Sequence, residues 1–392
     1  MPSDTDFDII VYGASGFTGR LVAEYLNRQY PGQETLKWAM AGRSLDKLAA
    51  VRDEMGLPSD TPLVAANSDD PASLTQMCQS AKVILTTVGP YALYGEGLVA
   101  ACAQTGTDYV DLCGEPIWMR QMIDAYGEAA KQSGARIVFS CGFDSIPTDL
   151  GIFYLQDEAQ KKFGKTLPRV KGRVRKMQGT FSGGTAASLK ASMAAIQKDP
   201  SLMQYMMNPF ALAPGFEGAK QPKGTSPEFD ETLNMWITPF IMAAINTKNA
   251  HRSNYLLGTP YGKDFAYDEM MVTGPGEEGK AMAEMMASVN PLGEEGGPKP
   301  GEGPSKEERE NGFFDILYVG LGPDGERLDV AVTGDKDPGY GSTSKMLSES
   351  AICLITDCTD TPGGIWTTAP AMGHKLIKRL VDNAGLTFTV ET

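Results

Sequence analysis

A chain of 392 residues, 42% hydrophobic and 21% charged, has ordinary globular usage, which excludes a disordered or fibrous protein. It exceeds the length at which one hydrophobic core keeps growing, so two domains are expected. The net charge of -14 repels a polyphosphate backbone, and no Lys/Arg tract reverses that locally, so nucleic acid is excluded as a partner.

From the N-terminus, short apolar runs alternate with amphipathic stretches. Residues 8–12, 38–41, 63–66, 83–88, 108–112 and 136–140 read as strands, nearly continuous in apolar character, as strands of a parallel sheet covered on both faces are. Helical patterns at 19–30, 46–55, 96–104 and 118–132 lie between them. The alternation predicts a doubly wound, Rossmann-type α/β domain over residues 1–150. Beyond Asp149 the rhythm stops, and 151–339 reads as an α+β substrate domain. Within it 313–334 is a hairpin turning at Gly322-Pro323-Asp324-Gly325, and 291–311, dense in Gly, Pro and charge, is expected to be a mobile surface loop. From Tyr340 two helical patterns and a strand at 386–390 return, and 340–392 is expected to pack back on the first domain.

Gly13-Ala14-Ser15-Gly16-Phe17-Thr18-Gly19 follows the first strand directly and opens a helix near Thr18. Its glycines permit a tight turn and close backbone approach, so the N–H groups at the helix start can hold a pyrophosphate. The order strand, turn, helix separates this motif from a plain tight turn. At the end of the second strand, where an NAD enzyme carries an acidic residue, stand Arg43 and Ser44, with Lys47 one turn later. The guanidinium fork suits a 2'-phosphate, which selects NADP(H). Asn67-Ser68-Asp69 either edges the adenine or caps the next helix. Gly89, Pro90 and Tyr91, after the fourth strand, are expected to give backbone contacts at the nicotinamide end.

The acid is less defined. None of the 14 tyrosines is followed four residues later by lysine, so the short-chain dehydrogenase pair is missing. Candidates are Tyr91, Tyr94, the Gly114-Glu115 turn and the run Cys141-Gly142-Phe143-Asp144-Ser145. Tyr94 or Asp144 would protonate or orient the product; alternatively Asp144 and Ser145 cap the helix beginning near Ile146. Cys141 reads as a buried small hydrophobe. In the second domain Lys171, Arg173 and Arg175 share one strand face and either bind substrate carboxylates or a carrier's phosphate, or form a solvated stripe. Ser182-Gly183-Gly184-Thr185 opens a helix, as an anion site or a conventional cap. The Met-rich stretches 203–210 and 235–245 either line an acyl groove or fill a core.

The set GASGFTG, AGRS, VGPY, GTDYVDLCGE and CGFDSIPTDLG resembles the saccharopine dehydrogenase-like oxidoreductases. SGGTAAS, PFIMAAINTKNAHRSNYLLG, GEGPSKEERENGFF and DPGYGSTSKMLSESA resemble one branch of them, the trans-acting enoyl reductases. The similarity runs over nearly the whole chain. It implies a Rossmann domain completed by C-terminal helices, an inserted α+β domain and NADP(H) in the cleft. It further implies reduction of an α,β-unsaturated acyl thioester held by a synthase or acyl carrier protein, with hydride to the β carbon and a proton to the α carbon. The matching cofactor positions are Gly13, Ser15, Gly16, Phe17, Thr18, Arg43, Ser44, Gly89, Pro90 and Tyr91; no motif fixes the proton donor. Arg252, Ser253 and Asn254 lie in a matching segment and either face substrate or are structural. Two other functions stand beside this one: a saccharopine-type C–N dehydrogenase gripping an amino acid through Lys171 and Arg173, and a non-catalytic NADP-binding protein at a lipid surface. No apolar run reaches the roughly 20 residues that span a bilayer. Six cysteines without a CxxC pair and only two histidines argue against a metal site. The N-terminus lacks a leader pattern, so a cytoplasmic protein, possible as a homodimer, is expected.

Overall fold

The computed structural model describes residues 5–179, 183–289 and 303–391. Six apolar runs become strands β1 (Phe7–Tyr12), β2 (Trp38–Gly42), β3 (Leu63–Ala65), β4 (Ala81–Thr86), β5 (Asp108–Val110) and β6 (Arg136–Val138). All pair in parallel, in the order β6-β5-β4-β1-β2-β3. Side chains of β1 point alternately to two cores: Ile9 and Val11 enter one with Val83 and Leu85, and Ile10 and Tyr12 enter the other with Ile84. Burial on both faces is why these strands read as unbroken apolar runs.

Six further strands, β7 (Arg169–Gln178), β8 (Glu228–Asp230), β9 (Met235–Pro239), β10 (Ala266–Gly274), β11 (Phe313–Leu321) and β12 (Arg327–Gly334), build a second sheet. Its β11–β12 pair is the predicted hairpin, with Gly325 at φ +90 in the turn. Two short C-terminal strands are shared between the sheets. Gly364–Trp366 (β13) extends the first sheet beside β6, and Leu386–Glu391 (β14) extends the second beside β12.

Three boundaries differ from the sequence reading. The expected domain border at residue 150 falls inside the helix Ile146–Phe163, which belongs to the core joining both sheets through Leu150 and Leu155. Asp149 fixes that helix by accepting from Thr368 Oγ1 and the Ala369 N–H, both at 2.7 Å. The 340–392 segment divides. The helix Thr343–Thr356 packs on the helix Phe17–Gln29 and on β4 and β5, and its buried Glu349 accepts from Tyr25 Oη at 2.7 Å and Tyr30 Oη at 2.6 Å. Strand β14 instead sets Phe388 opposite Val332 and Val390 opposite Val330 in the second sheet, because its free edge partner is there. Of the loop expected at 291–311, residues 291–302 lie outside the described residues. The remainder forms the helix Lys306–Asn311, started by a capping box between Ser305 and Glu308, which outweighs the local charge density. Among the described residues no helix is long and apolar enough to cross a membrane.

Candidate active site

The chain leaves β1 at Tyr12 and turns through Gly13 at φ +92. A Cβ there would lie 2.8 Å from Thr87 Oγ1 and Val88 Cγ2, and one at Gly19 would lie 2.2 Å from the Gly13 carbonyl. Only glycine lets strand, turn and helix close this tightly. The helix Phe17–Gln29 starts after Gly16 with no side-chain cap and no acidic residue in its first turn. Its first N–H groups therefore have no intrahelical acceptor, and the positive end of the helix is uncompensated. That donor set, with Ser15 and Thr18 beside it, fits a diphosphate.

Three neighbouring strand ends continue the edge. Burial raises the Tyr12 phenol above its ordinary value while Ser68 and the Arg43 charge oppose that rise, so the ends of β1, β2 and the segment after β3 lie close together. Arg43 and Lys47 are exposed, and neither has an ion-pair partner among the described residues. Ser44 caps the following helix, its Oγ accepting from the Lys47 N–H at 3.2 Å. Asp70, not Asn67, Ser68 or Asp69, caps the helix Pro71–Gln79, while Asn67 Oδ1 accepts from the Asp69 N–H at 3.3 Å.

At the other end of the edge lies a cavity of about 290 Å³. Thr18, Gly89 and Tyr91 border it on the side of the glycine turn; Met177, Met206, Phe240 and Ile245 form an apolar wall opposite. Among the described residues no lysine, arginine or histidine lines it. Two carboxyls do, and their circumstances differ. Glu115 accepts from the N–H groups of Tyr91 and Ala92, each at 2.9 Å, so it is committed to holding the short helix Tyr91–Tyr94. Asp144 has no such commitment: its buried Oδ1 lacks any hydrogen-bond partner, and burial alone pushes its carboxyl up to about 7. Removal from water without a neighbouring cation favours the neutral form. The capping role that the sequence favoured for Asp144 and Ser145 does not form. The helix Ile146–Phe163 has no side-chain cap, and Ser145 Oγ instead accepts from Asn249 Nδ2 at 2.8 Å.

The backbone carrying Asp144 is held by Thr343, whose Oγ1 accepts from the Phe143 N–H at 2.9 Å and donates to the Pro338 carbonyl at 2.8 Å. Asp337 in turn accepts from the N–H groups of Tyr340 and Gly341 at 3.0 and 2.7 Å. The C-terminal segment thus supplies Pro338, Gly339, Tyr340 and Thr343 to the cavity. No periodicity betrays this contribution; its signal was the Pro-Gly-Tyr-Gly run, which only the family resemblance had drawn out. Glu269, raised to about 7 by burial, and Lys248, lowered to about 8 by burial, are two further perturbed groups that sequence reasoning missed. They bond inward: Glu269 Oε1 accepts from Thr148 Oγ1 at 3.0 Å, and Lys248 Nζ donates to the Met206 carbonyl at 2.9 Å.

Residues 9–138 match the model of the saccharopine dehydrogenase NADP binding domain. A putative trans-acting enoyl reductase of Mycobacterium tuberculosis is 39% identical over 403 aligned positions, covering 96% of this chain and 95% of its own. The chain belongs to the trans-acting enoyl reductase family. A trans-acting enoyl reductase of Mycobacterium ulcerans is 36% identical over 409 positions, covering 96% of each chain. In fold, the protein resembles the saccharopine dehydrogenase (L-Glu forming) of Saccharomyces cerevisiae, with a TM-score of 0.54 at 12% identity over 98% of this chain and all of that one. The N-terminal unit is an NADP-binding domain, and the protein is an NADP(H)-dependent oxidoreductase.

In this member of the family several expected site residues lie elsewhere. Tyr94 is 44% exposed and does not line the cavity, since the helix Tyr91–Tyr94 turns Tyr91 inward. The stripe on β7 is neutralised. Lys171 pairs with Asp230 at 2.9 Å, Arg173 with Asp230 at 2.7 Å and Asp268 at 2.8 Å, and Arg175 with Asp315 and Glu391, both at 2.7 Å. Strand β7 runs between β10 and β11 in mid-sheet, so Arg173 is covered outright and Lys171 and Arg175 in part, and a carboxylate stands against each. Arg252 is buried and donates to the carbonyls of Leu212 and Ile365. Ser253 hydrogen-bonds Thr367 at 2.6 Å, and Asn254 braces the 261–262 turn; all three are structural ties. Cys141 is buried. Ser182 lies outside the described residues, so the anion-site reading of 182–185 is not taken further. Of the Met-rich stretches, Met206 and Met242 reach the cavity, whereas Met207 is 75% exposed.

Proposed function

We propose that this chain uses NADPH to reduce the carbon–carbon double bond of an α,β-unsaturated acyl thioester, with Asp144 as the acid serving the α carbon. The observation that carries the reading is the cavity: an apolar wall, no lining cation among the described residues, and one uncommitted carboxyl whose pKa burial raises to about 7. An amino-acid substrate would bring carboxylates that require cationic partners, and Lys171 and Arg173 are already bound to Asp230 and Asp268. A protein that merely holds NADP has no use for an uncommitted acid beside an apolar wall. The enoyl reductase names of the relatives support the same reading.

NADPH, when bound, supplies the hydride. The chain's own residues bind, orient and exclude water. Gly13, Ser15, Gly16, Phe17 and Thr18 would take the diphosphate at the helix start, Arg43 with Ser44 and Lys47 the 2'-phosphate, and Asn67 and Ser68 the adenosine edge. Gly89, Pro90 and Tyr91, braced by Glu115, would border the reactive end. The apolar wall receives the acyl group and keeps out water. As the α carbon gains basicity, a carboxylic acid with a pKa about that of the medium transfers a proton most effectively. The acyl group would arrive on a carrier or synthase in the cytoplasm, where the free thiols stay reduced. The test is to incubate the protein with NADPH and a crotonyl thioester and, separately, with NADP+ and saccharopine. NADPH consumption matched by saturated thioester supports the reading, and turnover of saccharopine alone, or of neither, overturns it.

A further inference from the structure

A second hollow, of about 80 Å³, opens between the helices Phe17–Gln29, Lys306–Asn311 and Thr343–Thr356. Five cations border it: Arg28, Lys306, Arg309, Lys336 and Lys345, against the two carboxylates of Glu24 and Glu310. In a chain of net charge -14 this concentration runs against the sign of the whole. It also contrasts with β7, where every cation of the stripe has a close carboxylate. Here Arg28 has none among the described residues. Lys306 has only Glu310, at 3.8 Å. Lys336 gives its Nζ to the Glu310 backbone carbonyl at 3.2 Å, and Arg309 gives a guanidinium N–H to the Pro304 carbonyl at 2.5 Å. Lys345 has the shortest ion pair of the five, with Asp335 at 3.2 Å. Even so, burial together with Lys336 and Arg28 pushes its ammonium below its ordinary value. Cations with unspent donors and repulsive neighbours are what an incoming anion relieves.

The hollow shares a wall with the reaction cavity. Gly341 and Ser344 border the hollow, while Tyr340 and Thr343 border the cavity. The Arg309 guanidinium lies 5.5 Å from the Phe17 ring centre, and that ring packs edge-on against Tyr340 at 5.1 Å. An anion seated here is one layer of side chains from the acyl site.

We propose that this hollow is where an acidic acyl carrier protein docks, with the phosphate of its thioester-bearing arm among Arg28, Lys306 and Lys336. The inference rests on the reading of the chain as a reductase of a carrier-bound acyl group. The acyl chain asks only for the apolar wall, whereas the arm that brings it is anchored through a phosphodiester on an acidic surface, and this is the cationic hollow beside that wall. A nucleic acid would need a long track of cations, which a single hollow on an acidic protein does not offer.

The test uses the full chain with Arg28→Glu, Lys306→Glu and Lys336→Glu combined; none of the three belongs to the cofactor edge or the cavity. Two substrates are compared with NADPH: a crotonyl-loaded acidic acyl carrier protein, and the crotonyl thioester of N-acetylcysteamine, which has neither phosphate nor carrier. The expected result is a rise of roughly ten-fold or more in KM for the carrier substrate and unchanged kcat/KM for the small thioester. An unchanged KM for the carrier, or equal losses on both substrates, overturns the proposal. The glutamine versions of the same three positions should shift KM in the same direction by less, which guards against a folding defect. Fluorescence anisotropy with labelled, unloaded carrier separates this inference from the functional reading. Wild-type binding that the triple variant loses supports the hollow even where neither thioester is reduced. Absence of wild-type binding, or an arm-free carrier binding as tightly as the phosphorylated form, overturns it.

Discussion

Arg43 and Arg173 are the same side chain in opposite circumstances. Arg43 stands just past the carboxyl end of a parallel strand, where the ladder has stopped, and it is exposed with no ion-pair partner among the described residues. Arg173 sits in the middle of β7, 1% exposed, between Asp230 and Asp268. Both belong to basic motifs that sequence marks as anion sites. The position along the strand decides which one has donors left to offer: an end beside a glycine turn leaves a cation available, whereas a mid-sheet position obliges the fold to neutralise it.

That contrast can be broken by experiment. Arg173→Met should take one of two cations from each of the buried carboxylates Asp230 and Asp268, which keep Lys171 and Arg169, and cost roughly 3 kcal/mol of stability, read from the urea midpoint; a loss near zero would mean that the pairs are not holding the second sheet. Arg43→Ala should leave the melting temperature alone. Loss of its charge-assisted bonds, about 1.5–3 kcal/mol, should raise the KM for NADPH roughly 10- to 100-fold and leave that for NADH unchanged. A parallel loss with both cofactors would remove Arg43 from the 2'-phosphate.

Asp144 gives a third probe, at the junction of the two regions. Its folded pKa of about 7 stands above the carboxyl's ordinary 3.8, so the folded state holds a proton that the unfolded chain releases. The resulting cost to stability is absent below about pH 4, grows as pH rises through the window to about 7, and is constant above it. Asp144→Asn should therefore melt higher than the wild type at pH 8, with the gain shrinking toward pH 4; a gain that is constant with pH would contradict the raised pKa. The smallest effect belongs to Tyr94→Phe. This residue lies outside the cavity, so kcat should stay within about two-fold of wild type.

The first sheet was legible because its signals are local. Strand runs at 8–12 and 38–41 and the Gly13–Gly19 turn each declare themselves within a few residues, and the structure has them within one or two positions. What was illegible depends on partners far along the chain. Gly364–Trp366 is three residues long and joins β6 after more than 200 intervening positions, too short for any period to register. The carboxylates that neutralise Arg173 lie 57 and 95 positions away, so the stripe on β7 looked free. The helix Ile146–Phe163 hid the domain border because one amphipathic run serves both sheets. Asp144 looked like a cap because Asp-Ser before Ile-Pro is a good helix start; the absence of a capping bond and the orphaned Oδ1 appear only in three dimensions.

The most direct test of the account is the pH dependence of crotonyl thioester reduction by NADPH in the wild type and in Asp144→Asn. A neutral acid in the cavity predicts a wild-type kcat that falls as pH rises past about 7. It also predicts a variant slower by roughly 10²- to 10⁴-fold that has lost this dependence while keeping its KM for NADPH. A variant with wild-type kcat and the wild-type pH profile would contradict it.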